Sequence, residues 1–285
     1  MSTRPKQIIV DKSAFIGINI DKLCDFAQNH LLLACDTLMY ECATATKQEP
    51  RDMLHNYKRL IESGAYYCSC SVVFIQSEGK NCCSYPWFLP DLDATEQIRT
   101  GKARLENVLD SAVPEKAFQS HCKIAKAMFV DLSDKLKRGI DSERLEVGKE
   151  IKNLPLDRLT RLQKLFEQID TSDLHNMVVD SVLKDWIKNE TKFCLSSEWI
   201  SWQYVRLNYI IVWDYCYSRQ MGGMPGNRRA EHDYQDMEYA LLLSRADGLL
   251  TKDKKLAELA KAAFPKRNVV SSPEEIPEDY LCRWN

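Results

Sequence analysis

A chain of 285 residues, 45% hydrophobic and 28% charged, can bury one large core or two smaller ones, and its 10 Gly and 10 Pro exclude a collagenous or low-complexity polymer. A net charge of −2 excludes binding to nucleic acid through bulk positive charge and leaves only a local basic patch for that role. Eleven cysteines, an odd number dispersed along the chain, read as reduced thiols, mostly buried. The start MSTRPKQIIVDKSA lacks a secretory pattern and no apolar run reaches membrane length, so the expectation is a cytoplasmic chain with no membrane partner.

Gln7-Ile8-Ile9-Val10 is a short β-branched run ending at Asp11, and Leu23, Phe26 and Ala27 follow at helical spacing: a strand opening into a helix. Leu31 to Cys35 is a second apolar run, and Asp36-Thr37 can cap a helix carrying Leu38, Tyr40 and Glu41. YYCSCSVVFIQ, from Tyr66 to Gln76, fits a strand or a buried helix equally well. Beyond it, Leu156, Leu159, Leu162, Leu165 and Ile169 recur at helical spacing, as do Leu174, Met177, Val178, Val182, Trp186 and Ile187. These predict a helical pair. The segment Ser196 to Arg219 carries Trp199, Trp202, Tyr204, Tyr209, Trp213, Tyr215 and Tyr217, a pattern that favours core packing over the stacking of bases.

Met221 to Asn227 is the strongest loop signal. After it come a helix opened by Asp236, a strand Gly248 to Thr251, a helix Asp253 to Phe264 and a last strand Asn268 to Val270. Strand–helix alternation at both ends of the chain predicts one α/β domain, a three-layer parallel sheet of about four strands formed by residues 1–50 and 223–285. Residues 51–222 are then a mainly α-helical insertion packed on that core.

In an open parallel sheet the ligand crevice lies outside the carboxyl ends of the strands, so Asp11 and Asp253 aim at one place. Glu41 and Asp236 come from helices beside it. Clustered carboxylates repel unless a cation sits among them, and hard Mg²⁺ or Mn²⁺ takes oxygen ligands. Each residue taken singly has a plainer explanation: Asp11 and Asp253 as helix caps, Asp236 answering a helix dipole, Glu41 as a solvated charge.

The stretches IIVDKSAF, LLLACDTLMYECAT and DYQDMEYALLLSRADGLLTKDKKL resemble the successive acidic motifs of PIN-like nucleases, in that family's order. The resemblance covers about the first fifty and last sixty residues. It implies Mg²⁺ or Mn²⁺ held by Asp11, Glu41, Asp236 and Asp253, and hydrolytic cleavage of RNA, less often DNA. Asp233 and Glu238 compete with Asp236 for its place. Arg228 and Arg229 could grip substrate phosphates, and Ser13 and Thr251 could hold a carboxylate or a metal-bound water. The insertion would choose the substrate or bind a protein partner.

Three other chemistries fit the residues less well. Cys68, Cys70, Cys82, Cys83, His121 and Cys122 lack the spacing of familiar zinc sites, and no Cys–His signature suggests a thiol nucleophile. The glycine-rich loop lacks the Gly-Lys-Ser/Thr ending of a phosphate-binding loop. The competing readings of the whole chain are a catalytically silent PIN-like interaction module, a DNA-cleaving nuclease, and a helical scaffold whose acidic residues are scattered caps.

Overall fold

A computed structural model describes residues 4–44, 50–102, 153–169, 171–184, 195–220 and 227–281. Its centre is a parallel sheet of β1 (Gln7–Val10), β2 (Leu31–Cys35), β3 (Tyr66–Cys68), β4 (Gly248–Leu250) and β5 (Asn268–Val270), in the order β3-β2-β1-β4-β5. The three central strands are buried throughout, which is why they appear in sequence as unbroken apolar runs rather than alternating ones.

The sheet has five strands, not about four, and the additional one, β3, lies inside the segment assigned to the helical insertion. The ambiguous YYCSCSVVFIQ stretch is both things in turn. Tyr66–Cys68 pairs with Leu33–Cys35, and the chain then enters helix α5 (Ser71–Asn81). Three residues at a sheet edge, two of them half-exposed, are too few to display a period.

β1 leads to β2 through helices α1 (Lys12–Gly17) and α2 (Ile20–Asn29), and β2 leads to β3 through α3 (Asp36–Ala43) and α4 (Pro50–Glu62). Both steps move outward on one side of β1. The later strands β4 and β5, joined by α11 (Lys254–Ala263), move outward on the other side. Right-handed crossovers in opposite directions place the two sets of helices on opposite faces of the sheet. The direction reverses between β1 and β4, the switch point where such sheets form a crevice.

Tyr57 pins α4 to the sheet, its buried hydroxyl donating to the Ala34 carbonyl at 2.9 Å. Gly64 sits between α4 and β3 at φ +128°, and a Cβ there would meet the Ala27 carbonyl oxygen at 2.8 Å, so the turn excludes any other residue.

The remaining described helices are α6 (Leu92–Arg99), α7 (Arg158–Gln168), α8 (Thr171–Met177, continued by a π-helical stretch Val178–Leu183), α9 (Ile200–Gln220) and α10 (Asn227–Leu243). α7 lies along α11, and α9 lies along α10 and α5. Buried Leu162, Ile200 and Leu207 join the same apolar cluster as Ile9 and Leu33, so a single core runs through both parts of the chain.

Trp199, Trp202, Tyr204 and Tyr217 are buried in this core. Leu156 departs from the predicted helical face: α7 starts two residues later and Leu156 is 80% exposed. Trp186 and Ile187 lie outside the described residues. The buried Arg161 guanidinium donates to Asp214 at 2.9 Å and lies over the Tyr217 ring at 4.0 Å, tying α7 to α9. Glu78 tethers the other end of α9. It accepts the backbone N–H groups of Ile200 (2.8 Å) and Ser201 (2.9 Å), which have no partner within the helix.

Candidate active site

Asp11 follows β1 directly, and Asp253 follows β4 after Thr251 and Lys252, so both emerge at the switch point on adjacent strands paired Val10 to Leu250. Both aspartates cap helices. Asp11 accepts the Ala14 N–H at 2.8 Å, and Asp253 accepts those of Lys255 at 2.7 Å and Leu256 at 3.0 Å.

Capping does not exhaust their contacts. The Thr251 hydroxyl donates to Asp11 Oδ2 at 2.8 Å and accepts the Asp253 N–H at 3.0 Å. The Ser13 hydroxyl donates to the same Asp11 oxygen at 2.8 Å and accepts the Lys252 N–H at 2.8 Å. One run of hydrogen bonds therefore links the loops after β1 and β4. Ser13 and Thr251 hold a carboxylate, one of the two roles their sequence allowed. Burial pushes the Asp11 carboxyl above its usual range, against the opposing pull of these donors.

Glu41 lies in α3 and is buried. The Tyr239 hydroxyl donates to its Oε2 at 2.6 Å, and the Lys12 ammonium stands 3.6 Å from Oε1. Burial is the main force raising Glu41 to about 7. The Asp11 charge adds to it, while Tyr239 and Lys12 oppose it.

Asp236 does not open its helix. α10 begins at Asn227, which puts Asp236 in the middle and removes the helix-dipole explanation for it. Helix starts are read from caps and first apolar residues, and here the polar turns from Asn227 to Asp233 hid the true beginning. Burial, then the charges of Asp253, Asp233, Glu41 and Asp11, raise Asp236 to about 8. The fields of all three other predicted acids therefore reach this one side chain. Among the described residues no hydrogen bond or ion pair answers its carboxylate.

Asp233 adds its charge from one turn earlier. Glu238 belongs elsewhere: Ser71 N and Oγ donate to it at 3.2 and 2.7 Å, and the Tyr234 hydroxyl at 3.0 Å. Asp36 is not the cap of α3, whose N-cap is Cys35; it pairs instead with the Tyr67 hydroxyl and the Cys70 thiol. The side chains of Arg228 and Arg229 lie outside the described residues, as do His121 and Cys122.

The charges that raise Asp236 all come from carboxylates, the ligand type preferred by Mg²⁺ or Mn²⁺. Among the described residues no three His, Cys, Asp or Glu side chains stand close enough to close on one ion. Among the described residues, Cys68, Cys70, Cys82 and Cys83 form no group of three that could hold zinc.

No family model, curated protein or solved structure matches this chain. No helix among the described residues is long and apolar enough to cross a membrane.

Sequence reading missed two residues of the site. Tyr239 is three positions after Asp236, on the same helix face, and Lys12 adjoins Asp11. The spacing of Tyr239 was the available signal; the reach of Lys12 across to α3 had none.

Proposed function

We propose that this chain is a metal-dependent, PIN-like nuclease that hydrolyses RNA phosphodiester bonds. Asp11, Asp236 and Asp253 would hold Mg²⁺ or Mn²⁺, and Glu41 would bind the metal or position water. The observation that carries this reading is Asp236, a carboxylate unanswered among the described residues and repelled by the acids around it. A divalent cation would remove that repulsion, and carboxylate oxygens are the ligand type it prefers. When bound, such a cation lowers the pKa of water and stabilises charge on a phosphoryl oxygen.

The chain's own residues supply the rest. Ser13 and Thr251 fix Asp11, so it needs little reorganisation on receiving a ligand. Tyr239 and Lys12 fix Glu41 from opposite oxygens. At neutral pH Asp236 and much of Glu41 hold protons in the metal-free chain, and these protons leave on metal binding. RNA as substrate rests on the resemblance of the acidic motifs, and Arg228 and Arg229, by their charge and their place before the acidic residues of the helix, would grip its phosphates. The helical segment would select that substrate or bind a protein partner, in the cytoplasm.

The test is cleavage of single-stranded RNA and of DNA of the same sequence with Mn²⁺ or Mg²⁺, comparing the parent with Asp11→Asn. The expected result is metal-dependent cleavage of RNA by the parent, lost in the variant. Equal activity in both, or none in either, overturns the enzyme and leaves a silent interaction module. Preferential cleavage of DNA corrects the substrate alone. Mn²⁺ calorimetry with Asp253→Asn separates the helical scaffold, which predicts no binding that depends on Asp253.

A further inference from the structure

The opposite end of the sheet, at the amino ends of β1 and β4, carries a cluster of cations. Asp247, buried just before β4, accepts Arg4 and Arg267 on one oxygen, both at 3.1 Å, with the Lys6 ammonium 3.9 Å from the same oxygen. Its other oxygen takes the Gln7 N–H at 3.1 Å. Three cations thus share one carboxylate.

A fourth cation comes from the turn leading into that carboxylate. The Arg245 side chain is only 12% exposed, and its nearest charged partner, Glu78, stands 3.9 Å away, beyond hydrogen-bond reach. Burial, together with the charges of Arg267 and Arg4, disfavours its ionised form, while Glu78 and Glu198 support it. Arg245 Nε and Nη2 and the adjacent Ser244 Oγ are all buried without a hydrogen-bond partner among the described residues. Arg267 donates to the Ser244 carbonyl at 3.3 Å, which places its guanidinium beside this turn.

Buried donors left unmade are costly, and a guanidinium fork beside a hydroxyl matches an oxyanion with two or more oxygens. We propose that Ser244 and Arg245, with Arg267, Arg4 and Lys6 around them, form a binding site for a phosphate-class oxyanion. The site lies at the end of the sheet away from the acidic cluster and does not depend on the nuclease reading.

The test is calorimetric titration of the full chain with inorganic phosphate in chloride buffer, on the parent, Arg245→Gln, Ser244→Ala and Arg4→Gln. The expected result is one saturable site in the parent, weakened at least about tenfold by Arg245→Gln and less by the other two. Asp11→Asn should bind phosphate as the parent does. A 5′-phosphorylated dinucleotide and its dephosphorylated twin, titrated alongside, separate a terminal phosphate from a free one as the occupant.

No saturable binding in the parent overturns the proposal, as does undiminished binding by Arg245→Gln. If Arg245→Gln fails to fold, Arg4→Gln decides, since Arg4 lies at the rim: unchanged affinity there also overturns it. Tighter phosphate binding by Asp11→Asn than by the parent would place the anion beside the acidic cluster and refute this site.

Discussion

Glu41→Gln tests the electrostatics of the acidic crevice directly. The Glu41 carboxyl ionises near 4.5 in the unfolded chain and at about 7 in the folded one, so between those values the folded state holds the extra proton. Stability is then full below the lower value and falls as pH rises, by about 1.4 kcal/mol per pH unit and about 3 kcal/mol across the interval. Glutamine keeps an oxygen for the Tyr239 hydroxyl and never ionises. In urea melts with a chelator present, the metal-free parent should lose stability from about pH 4.5 to 7, while Glu41→Gln loses about 3 kcal/mol less.

Relief at Asp236, which Glu41 helps to raise to about 8, adds to that difference. Saturating Mn²⁺ should flatten or reverse the parent's slope, because ligand binding favours the ionised carboxylates. Parallel pH profiles for parent and variant would refute the burial and repulsion inferred at Glu41.

Thr251→Val keeps the shape but removes the donor to Asp11 and the acceptor of the Asp253 N–H; it should cost about 1–3 kcal/mol in urea melts and weaken Mn²⁺ binding by calorimetry. Glu78→Gln leaves the N-terminus of α9 with a neutral acceptor in place of a charged one, and a loss of about 1–2 kcal/mol in the same melts, with Mn²⁺ affinity unchanged, is the expected outcome.

The local elements were largely legible from short-range pattern. IIV before Asp11, LLLAC before Asp36 and GLL before Thr251 are buried on both faces, and unbroken apolar runs of that length bounded by polar residues have few other uses. Capping by Asp11 and Asp253 was equally local, requiring only a carboxylate two or three residues before a free N–H. The bond from Thr251 to Asp11 spans 240 positions, and the salt bridge from Lys12 to Glu41 depends on how α3 packs beside α1. Neither leaves a period or motif.

By itself, then, the sequence determined a strand–helix chain with acids following its strands, because backbone propensity and side-chain alternation act over a few residues. Tertiary structure alone decided that β3 joins the sheet, that Glu238 serves Ser71 while Asp236 lies in the field of the other acids, and that Arg245 is buried beside Arg4 and Arg267. Burial and Coulomb interaction depend on distance in space, and residues hundreds of positions apart acquire that distance only when the sheet assembles.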